Sequence, residues 1–332
     1  MSTEKMIDSP VCRICNNAKG NKTYQVKEMM FGMREKFQYF QCSKCHCLQI
    51  SDIPQDMSKF YPENYYSFGK YDGKKFKGIL GAINRKKYAQ LVTGKNPFLR
   101  KTASLISGTD LFFILNGLNI SKESKILDIG CGNGKNFLYP LAEIGFKNVH
   151  GCDPFLSESI KYDNGLQISN SNIFDIEGTW DIITYHHSFE HIPDPLDHLQ
   201  KVSKILAPGG VCIIRIPTVS SYAWNHYKTN WVQLDAPRHF FLHSKESMKI
   251  LGEKSNMELF KTVYDSTHFQ FSGSEKYIQD IPLRTPNPKG LVSTFKRKIK
   301  KSKYAKSAEI LNKEGNGDQA AFFFRKPLEV NK

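Results

Sequence analysis

Ile126-Leu127-Asp128-Ile129-Gly130-Cys131-Gly132-Asn133-Gly134 is the stretch on which the fold turns. An apolar strand with one acid runs into a turn that has glycine at every second position, and a helical pattern follows. Glycine takes backbone conformations closed to other residues and lets the main chain approach a ligand. The helix start that follows offers unpaired N–H groups. Cys131 and Asn133 fill the positions between the glycines.

Working outward, short apolar runs alternate with helical patterns from residue 121 onward. Strands are expected at Lys125–Ile129, Asn148–Cys152, Gln167–Ser169, Asp181–Tyr185, Val211–Ile216, Glu258–Asp265 and Gln319–Arg325. That alternation predicts an α/β, doubly wound, Rossmann-like sheet, mostly parallel, with seven strands. Asp194 is placed to cap a helix with Pro195 in its first turn. Pro208-Gly209-Gly210 is expected to end it.

The glycine turn separates two ligand classes by charge. A dinucleotide fingerprint would read G-x-G-x-x-G and seat a pyrophosphate at the helix start. Here the turn reads G-x-G-x-G, with Asp128 just ahead of it. A carboxylate there repels pyrophosphate and attracts an ammonium group. Asp153 follows 25 residues later, at the end of the second strand. From there it can accept both hydroxyls of a ribose. A ribonucleoside with a cationic amino-acid tail is S-adenosylmethionine.

The stretch resembles the first motif of class I S-adenosylmethionine-dependent methyltransferases. The likeness continues through Gly151-Cys152-Asp153-Pro154, Phe189-Glu190-His191-Ile192-Pro193-Asp194-Pro195 and Leu206-Ala207-Pro208-Gly209-Gly210. Two Cys-x-x-Cys pairs, an aromatic stretch from Phe60 to Phe68, and Trp231-x-x-x-Asp235-x-Pro237-Arg238-His239 resemble a narrower group. That group comprises bacterial deoxysugar and surface-polysaccharide methyltransferases with an N-terminal zinc module. The resemblance implies that Gly130, Gly132 and Gly134, with Cys131 and Asn133, line the methionine part. It implies that Asp128 draws in the ammonium and Asp153 holds the ribose. Asn172 and Ile173 would lie near the adenine, and Tyr185 and His186 near the sulfonium.

Methyl transfer to a hydroxyl, or to a carbon beside a keto group, needs a general base, and histidine suits that task near neutral pH. His186, His187, His191 and His239 fall at strand ends or in the loops above them. His239 and His191 are the preferred bases, with His187 and Glu190 as the remaining catalytic candidates. Arg238 is placed to grip a substrate phosphate bidentately, with Trp231 beside it in the same substrate-binding segment. For each of these the plain alternative is a structural hydrogen bond or ion pair.

Four of the eight cysteines form the knuckles Cys12/Cys15 and Cys42/Cys45. Paired knuckles in a chain without a secretory signal point to metal before disulfides. Two facing knuckles give the tetrahedral sulfur cage that zinc prefers, a closed structural site. The 26 intervening residues exceed the ribbon spacing of ~15–20, so a hairpin is expected, with strands at Thr23–Met30 and Glu35–Gln41. His46 and Cys47 beside the second knuckle are alternative ligands.

Composition sets the outer bounds. The 332 residues are 40% hydrophobic and 24% charged, which suits about two domains and excludes global disorder. The segments expected are a zinc-ribbon-like module at 1–68, a basic, partly helical connector at 69–120, and a methyltransferase domain at 121–332. Within the connector, Lys101–Leu118 has helical spacing. No apolar run reaches the ~18 residues of a spanning helix, and Met1–Pro10 lacks a signal-peptide apolar region. The expectation is a cytoplasmic protein with the option of peripheral membrane contact.

The net charge of +15 is concentrated. Lys70–Lys101 carries ten basic residues and one acid, and Lys289–Lys306 carries eight and none. Anionic partners follow: phosphorylated sugars, an anionic membrane surface, or nucleic acid. An RNA methyltransferase is the main alternative, though no Asn/Asp-Pro-Pro-Tyr/Phe tetrapeptide follows the fourth strand. A non-catalytic scaffold is the other, and the acidic pair Asp128 and Asp153 argues against it.

Overall fold

The computed structural model describes residues 10–61, 69–94, 111–288 and 290–328. Residues 62–68 of the aromatic stretch, residues 101–110 of the expected connector helix, and Lys289 lie outside the described residues. The chain divides into two compact units. The first comprises Met1–Pro62, Phe189–Leu199 and Arg215–Phe322; the second comprises Glu63–Ser188, Gln200–Ile214 and Phe323–Lys332. These units cut across the three segments expected from composition.

The second unit holds strands β4 (Lys125–Ile129), β5 (Asn148–Cys152), β6 (Ile160–Lys161), β7 (Gln167–Ser169) and β8 (Trp180–His186). It also takes in most of β9 (Leu206–Pro217). Their order is β9-β8-β4-β5-β7-β6. β4 runs parallel to β5 and β8, and β5 parallel to β7. Ile126, Leu127, Asp128 and Ile129 are all buried, as expected for a parallel strand covered on both faces. The two-residue β6, antiparallel to β7, adds an edge to the seven strands expected. Helices α1 (Gly78–Thr93) and α2 (Leu138–Glu143) belong to this unit, as does a 3-10 turn at Leu111–Leu115.

Helix α3 (Pro195–Ile205) starts where Asp194 and Pro195 predict, but it stops at Ile205. Pro208-Gly209-Gly210 does not form a terminating turn; these residues lie in β9. Gly209 N–H donates to the Lys326 carbonyl and Lys326 N–H to the Gly210 carbonyl, both at 3.1 Å. Pairing with a residue far along the chain thus overrides the local turn signal.

In the first unit, β1 (Lys22–Lys27), β2 (Lys36–Gln41), β3 (Leu48–Ile50) and β10 (Phe241–Leu242) form an antiparallel sheet in that order. The expected hairpin is present, but β1 ends three residues early. Glu28 turns its carboxylate inward, where it accepts from Phe31 N–H at 3.0 Å and Met33 N–H at 2.9 Å and closes the loop. The same unit holds β11 (Glu258–Tyr264), β12 (Gln319–Arg325, entering the second unit at its end) and the last residues of β9, in the order β11-β12-β9. Its helices are α4 (Tyr222–Tyr227), α5 (Lys245–Lys254), α6 (Phe269–Ile278) and α7 (Leu291–Lys313). Among the described residues, no helix is long and apolar enough to cross a membrane.

Candidate functional site

The glycine turn lies in the second unit, and strand register builds it. Asp128 pairs with Gly151 of β5 on one side and with Thr184 of β8 on the other. The Thr184 hydroxyl therefore reaches Asp128 Oδ1 and donates to it at 2.8 Å. Asp128 is buried, and burial pushes its carboxyl up to about 8, with the nearby Asp153 adding to the rise against the Thr184 bond. Such a carboxyl favours a cation that would restore its charge.

Gly130, Gly132 and Gly134 all take left-handed backbone, with φ of 68°, 56° and 67°. A Cβ on Gly130 would meet Ser188 at 2.5 Å, and one on Gly134 would meet Ile168 at 2.8 Å. The turn is therefore closed to side chains by conformation and by space. It is pinned from both ends. Gly130 N–H donates to the Cys152 carbonyl at 2.8 Å, and Ser188 Oγ to the Ile129 carbonyl at 2.7 Å.

Asp153 closes the other side. Gly132 N–H donates to Oδ2 at 2.8 Å and Phe155 N–H to Oδ1 at 2.9 Å. Each oxygen keeps a lone pair, the pattern two vicinal hydroxyls require. Among the other residues implied for this site, Asn133 anchors the turn by donating to the Gly69 carbonyl. Cys131 fills the space beside Gly151, where a Cβ would stand 2.4 Å from its Sγ. Asn172 accepts from Phe174 N–H at 2.7 Å, capping a 3-10 turn at Ile173–Asp175. Ile173 and Tyr185 are fully buried, and the His186 ring lies 4.7 Å from that of Phe137.

The histidine candidates divide. His187, with φ of 52°, belongs to the second unit. Glu190, His191 and His239 come together in the first, with one ligand atom from each within 4.8 Å of the others. His191 Nδ1 lies 2.7 Å from the Arg238 carbonyl, and His239 Nδ1 2.7 Å from that of Gln233. A carbonyl only accepts, so both Nδ1 atoms carry a proton, and in the neutral ring it is Nε2 that presents the lone pair. His239 Nε2 stands 3.8 Å from Glu190 Oε1 and 3.8 Å from Asp235 Oδ2. Two carboxylates would stabilise the imidazolium formed when His239 takes a proton. Burial lowers the pKa of His191 and keeps it neutral, against the pull of Glu190. The same three residues offer a set for a divalent cation.

Arg238 and Trp231 do not fit the substrate roles expected for them. Arg238 is 1% exposed, and its fork is already taken. Nε donates to Asp235 Oδ2 and Nη2 to Glu28 Oε1, both at 3.0 Å, while Nη1 donates to the Phe60 carbonyl. Burial alone would weaken its charge, but Asp235 and Glu28 more than offset this and raise its pKa. Trp231 is fully buried, and its indole N–H donates to Asp318 at 2.9 Å. Removing one partner of a buried pair costs about 3–5 kcal/mol. Arg238→Ala should therefore lower the thermal midpoint by many degrees. A variant of wild-type stability with a raised KM for a phosphorylated acceptor would restore the substrate role.

The four knuckle cysteines also meet in the first unit. Cys12 Sγ lies 3.5 Å from Cys45 Sγ, and Cys15 Sγ 3.5 Å from Cys42 Sγ, with all four within 4.8 Å. A tetrahedron with metal–sulfur bonds of ~2.3 Å has edges of about 3.8 Å, so the quartet fits. The knuckles repeat one pattern. Asn16 and His46 both take left-handed φ (60° and 59°) and donate their N–H to the Cys12 and Cys42 carbonyls, respectively. His46 thus shapes the turn. Cys47 is not part of the quartet; its Sγ faces the Leu242 carbonyl at 3.6 Å and His243 at 3.9 Å. Lys44 N–H and Cys45 N–H donate to Cys42 Sγ, and Gln49 Nε2 donates to Cys12 Sγ at 3.1 Å. The role of Gln49 has no signal in the sequence; it follows from burial of its side chain beside the first knuckle.

Residues 102–262 match a family described as a methyltransferase domain. The match spans just under half of the chain and takes in the glycine turn, Asp128 and Asp153. The chain is 32% identical over 107 residues to a ubiquinone biosynthesis O-methyltransferase of Psychrobacter cryohalolentis, covering 27% of this chain and 39% of that protein. A protein of the same name from Colwellia psychrerythraea is 32% identical over 100 residues, covering 27% and 40%. The chain thus spans about two fifths of the length of these relatives. A solved structure of a putative sarcosine dimethylglycine methyltransferase from Galdieria sulphuraria is 15% identical, with 74% of this chain and 98% of that one covered at a TM-score of 0.42. For cyclopropane synthase MmaA2 from Mycobacterium tuberculosis the values are 16%, 70%, 87% and 0.42.

Proposed function

We propose that the methyltransferase domain binds S-adenosylmethionine and that the chain passes its methyl group to a small-molecule or glycan acceptor. The acceptor we favour is a nucleotide-linked sugar or a surface-polysaccharide precursor. The reading is carried by one observation: a buried carboxyl pushed up to about 8 at one side of a left-handed glycine turn, and a two-lone-pair carboxylate at the other. Asp128 answers an ammonium group, and Asp153 answers two hydroxyls. When bound, the sulfonium supplies an activated methyl group and its leaving group, so the protein mainly aligns the acceptor and excludes water.

An acceptor hydroxyl must also lose its proton. For that step His239 Nε2 is the base, its Nδ1–H fixed by Gln233 and its positive charge balanced by Glu190 and Asp235. The four thiolates hold zinc, which the closed sulfur set favours over other metals and which leaves no open coordination position for chemistry. The sugar acceptor is supported by the resemblance of the Trp231–His239 segment and the cysteine knuckles. A phenolic hydroxyl is the second reading, favoured by the names of the curated relatives.

Purified protein with labelled donor should methylate a nucleotide-sugar from a panel that also holds phenols and RNA. Labelling of the phenols alone would move the acceptor to the second reading, and labelling of RNA would overturn both. On the acceptor found, His239→Gln should lower kcat about 10²–10⁴-fold with donor affinity within roughly twofold of wild type. Unchanged turnover would remove His239 from the proton transfer.

A further inference from the structure

Helix α7 leaves apolar residues in water. Leu291, Val292, Phe295 and Ile299 are 92%, 69%, 66% and 45% exposed. At about 100° per residue they share one arc of the helix, some 100° wide. The opposite side is where α7 packs: Tyr304 stacks on Phe271 at 5.0 Å between ring centroids, and Ala308 is buried. Lys298 borders the apolar arc on one side, Lys296 and Lys303 on the other. Seven basic residues lie between Lys296 and Lys306, with no acid among them.

The second unit repeats this chemistry in its own basic segment. On α1, Ile79, Leu80 and Ile83 are exposed while Gly81, Tyr88, Leu91 and Val92 are buried. Lys86 and Lys87 share the outward side, and no acid falls between Lys74 and Lys87. In each unit, then, exposed aliphatic side chains sit inside a run of positive charge.

We infer that the apolar, lysine-bordered face of α7 is a docking surface for an anionic lipid bilayer. Both halves of the pattern are needed by that partner. Acidic headgroups take the lysines, and the boundary of the acyl chains takes Leu291, Val292, Phe295 and Ile299. RNA would pair with the lysines and leave the aliphatic side chains in water. A second copy of the chain would cover the aliphatic side chains but set two cationic helices face to face. The inference does not depend on the methyl-transfer reading.

Vesicle co-sedimentation of the full chain tests it, with phosphatidylcholine alone against phosphatidylcholine holding about a third phosphatidylserine. The partition coefficient should be at least about tenfold higher on the anionic vesicles and fall steeply with salt. Leu291→Ser/Phe295→Ser/Ile299→Ser should lower it about tenfold or more, and Lys298→Gln/Lys303→Gln by a similar factor. These side chains are exposed, so wild-type unfolding curves are expected and distinguish lost docking from lost folding. Equal partition on the two vesicle types would overturn the proposal. So would indifference to the serine substitutions, RNA binding that the lysine changes weaken and the serine changes do not, or a dimer in sedimentation velocity that the serine changes dissolve.

Discussion

Asp128→Asn raises the thermal midpoint at pH 8 and removes donor binding. The native carboxyl has its pKa raised from 3.8 to about 8 by burial. Between those values the folded chain binds a proton that the unfolded chain has lost, so stability falls as pH rises through this window. At 1.36 kcal/mol per pH unit the cost at neutral pH is on the order of 4 kcal/mol. Asparagine keeps an oxygen for the Thr184 hydroxyl and has nothing to ionise. Its gain is therefore absent near pH 4, grows toward pH 8 and is level above. For donor binding the sign reverses. The amide cannot balance an ammonium group, and a buried charge-assisted pair is worth about 100-fold or more in affinity. In the wild type, donor binding near pH 7 should release close to one proton, read by calorimetry in buffers of different ionisation enthalpy. A stabilised variant with wild-type donor affinity and unchanged proton release would show that Asp128 does not meet the ammonium.

Loss of the metal at the knuckles should have the larger structural effect. Structural zinc contributes roughly 10–16 kcal/mol of apparent binding energy in small zinc modules, all of it conditional on folding. Here the consequence reaches beyond the hairpin. The Ser244 hydroxyl, at the start of α5, donates to the Cys45 carbonyl, and Lys254, at its end, donates to the Ile14 carbonyl at 2.7 Å. Chelation, or Cys42→Ser, should therefore abolish cooperative unfolding of the first unit and not merely lower its midpoint. Elemental analysis should find one zinc per wild-type chain and none in the variant. Cys47→Ser should retain the metal, since its sulfur faces His243 and not the quartet. Metal-free protein with unchanged circular dichroism and melting would refute the structural assignment.

The glycine turn was legible because its signal is local: a strand, three alternating glycines and two acids at strand ends. The cysteine knuckles were legible for the same reason. The structural role of Arg238 is only half legible: its partner Asp235 lies three positions away, but its second partner, Glu28, lies 210 away. An arginine beside a histidine looks the same whether its partner is a ligand phosphate or a distant glutamate. The place of Thr184 and Gly151 beside Asp128 carries no sequence signal, because only strand register sets it. Glu190 and His239 could be named as candidates, but their approach to 3.8 Å depends on a return of the chain that no spacing encodes.

The pairing of β3 with β10 bears on how the chain is made. Residues 48–50 emerge from the ribosome about 190 residues before their sheet partner, Phe241–Leu242. At 5–20 residues per second, the free edge of β3 waits roughly 10–40 s. During that interval the knuckles, complete at Cys45, are the part able to close, and a metal taken up there would order the hairpin beside the nascent edge before its partner arrives.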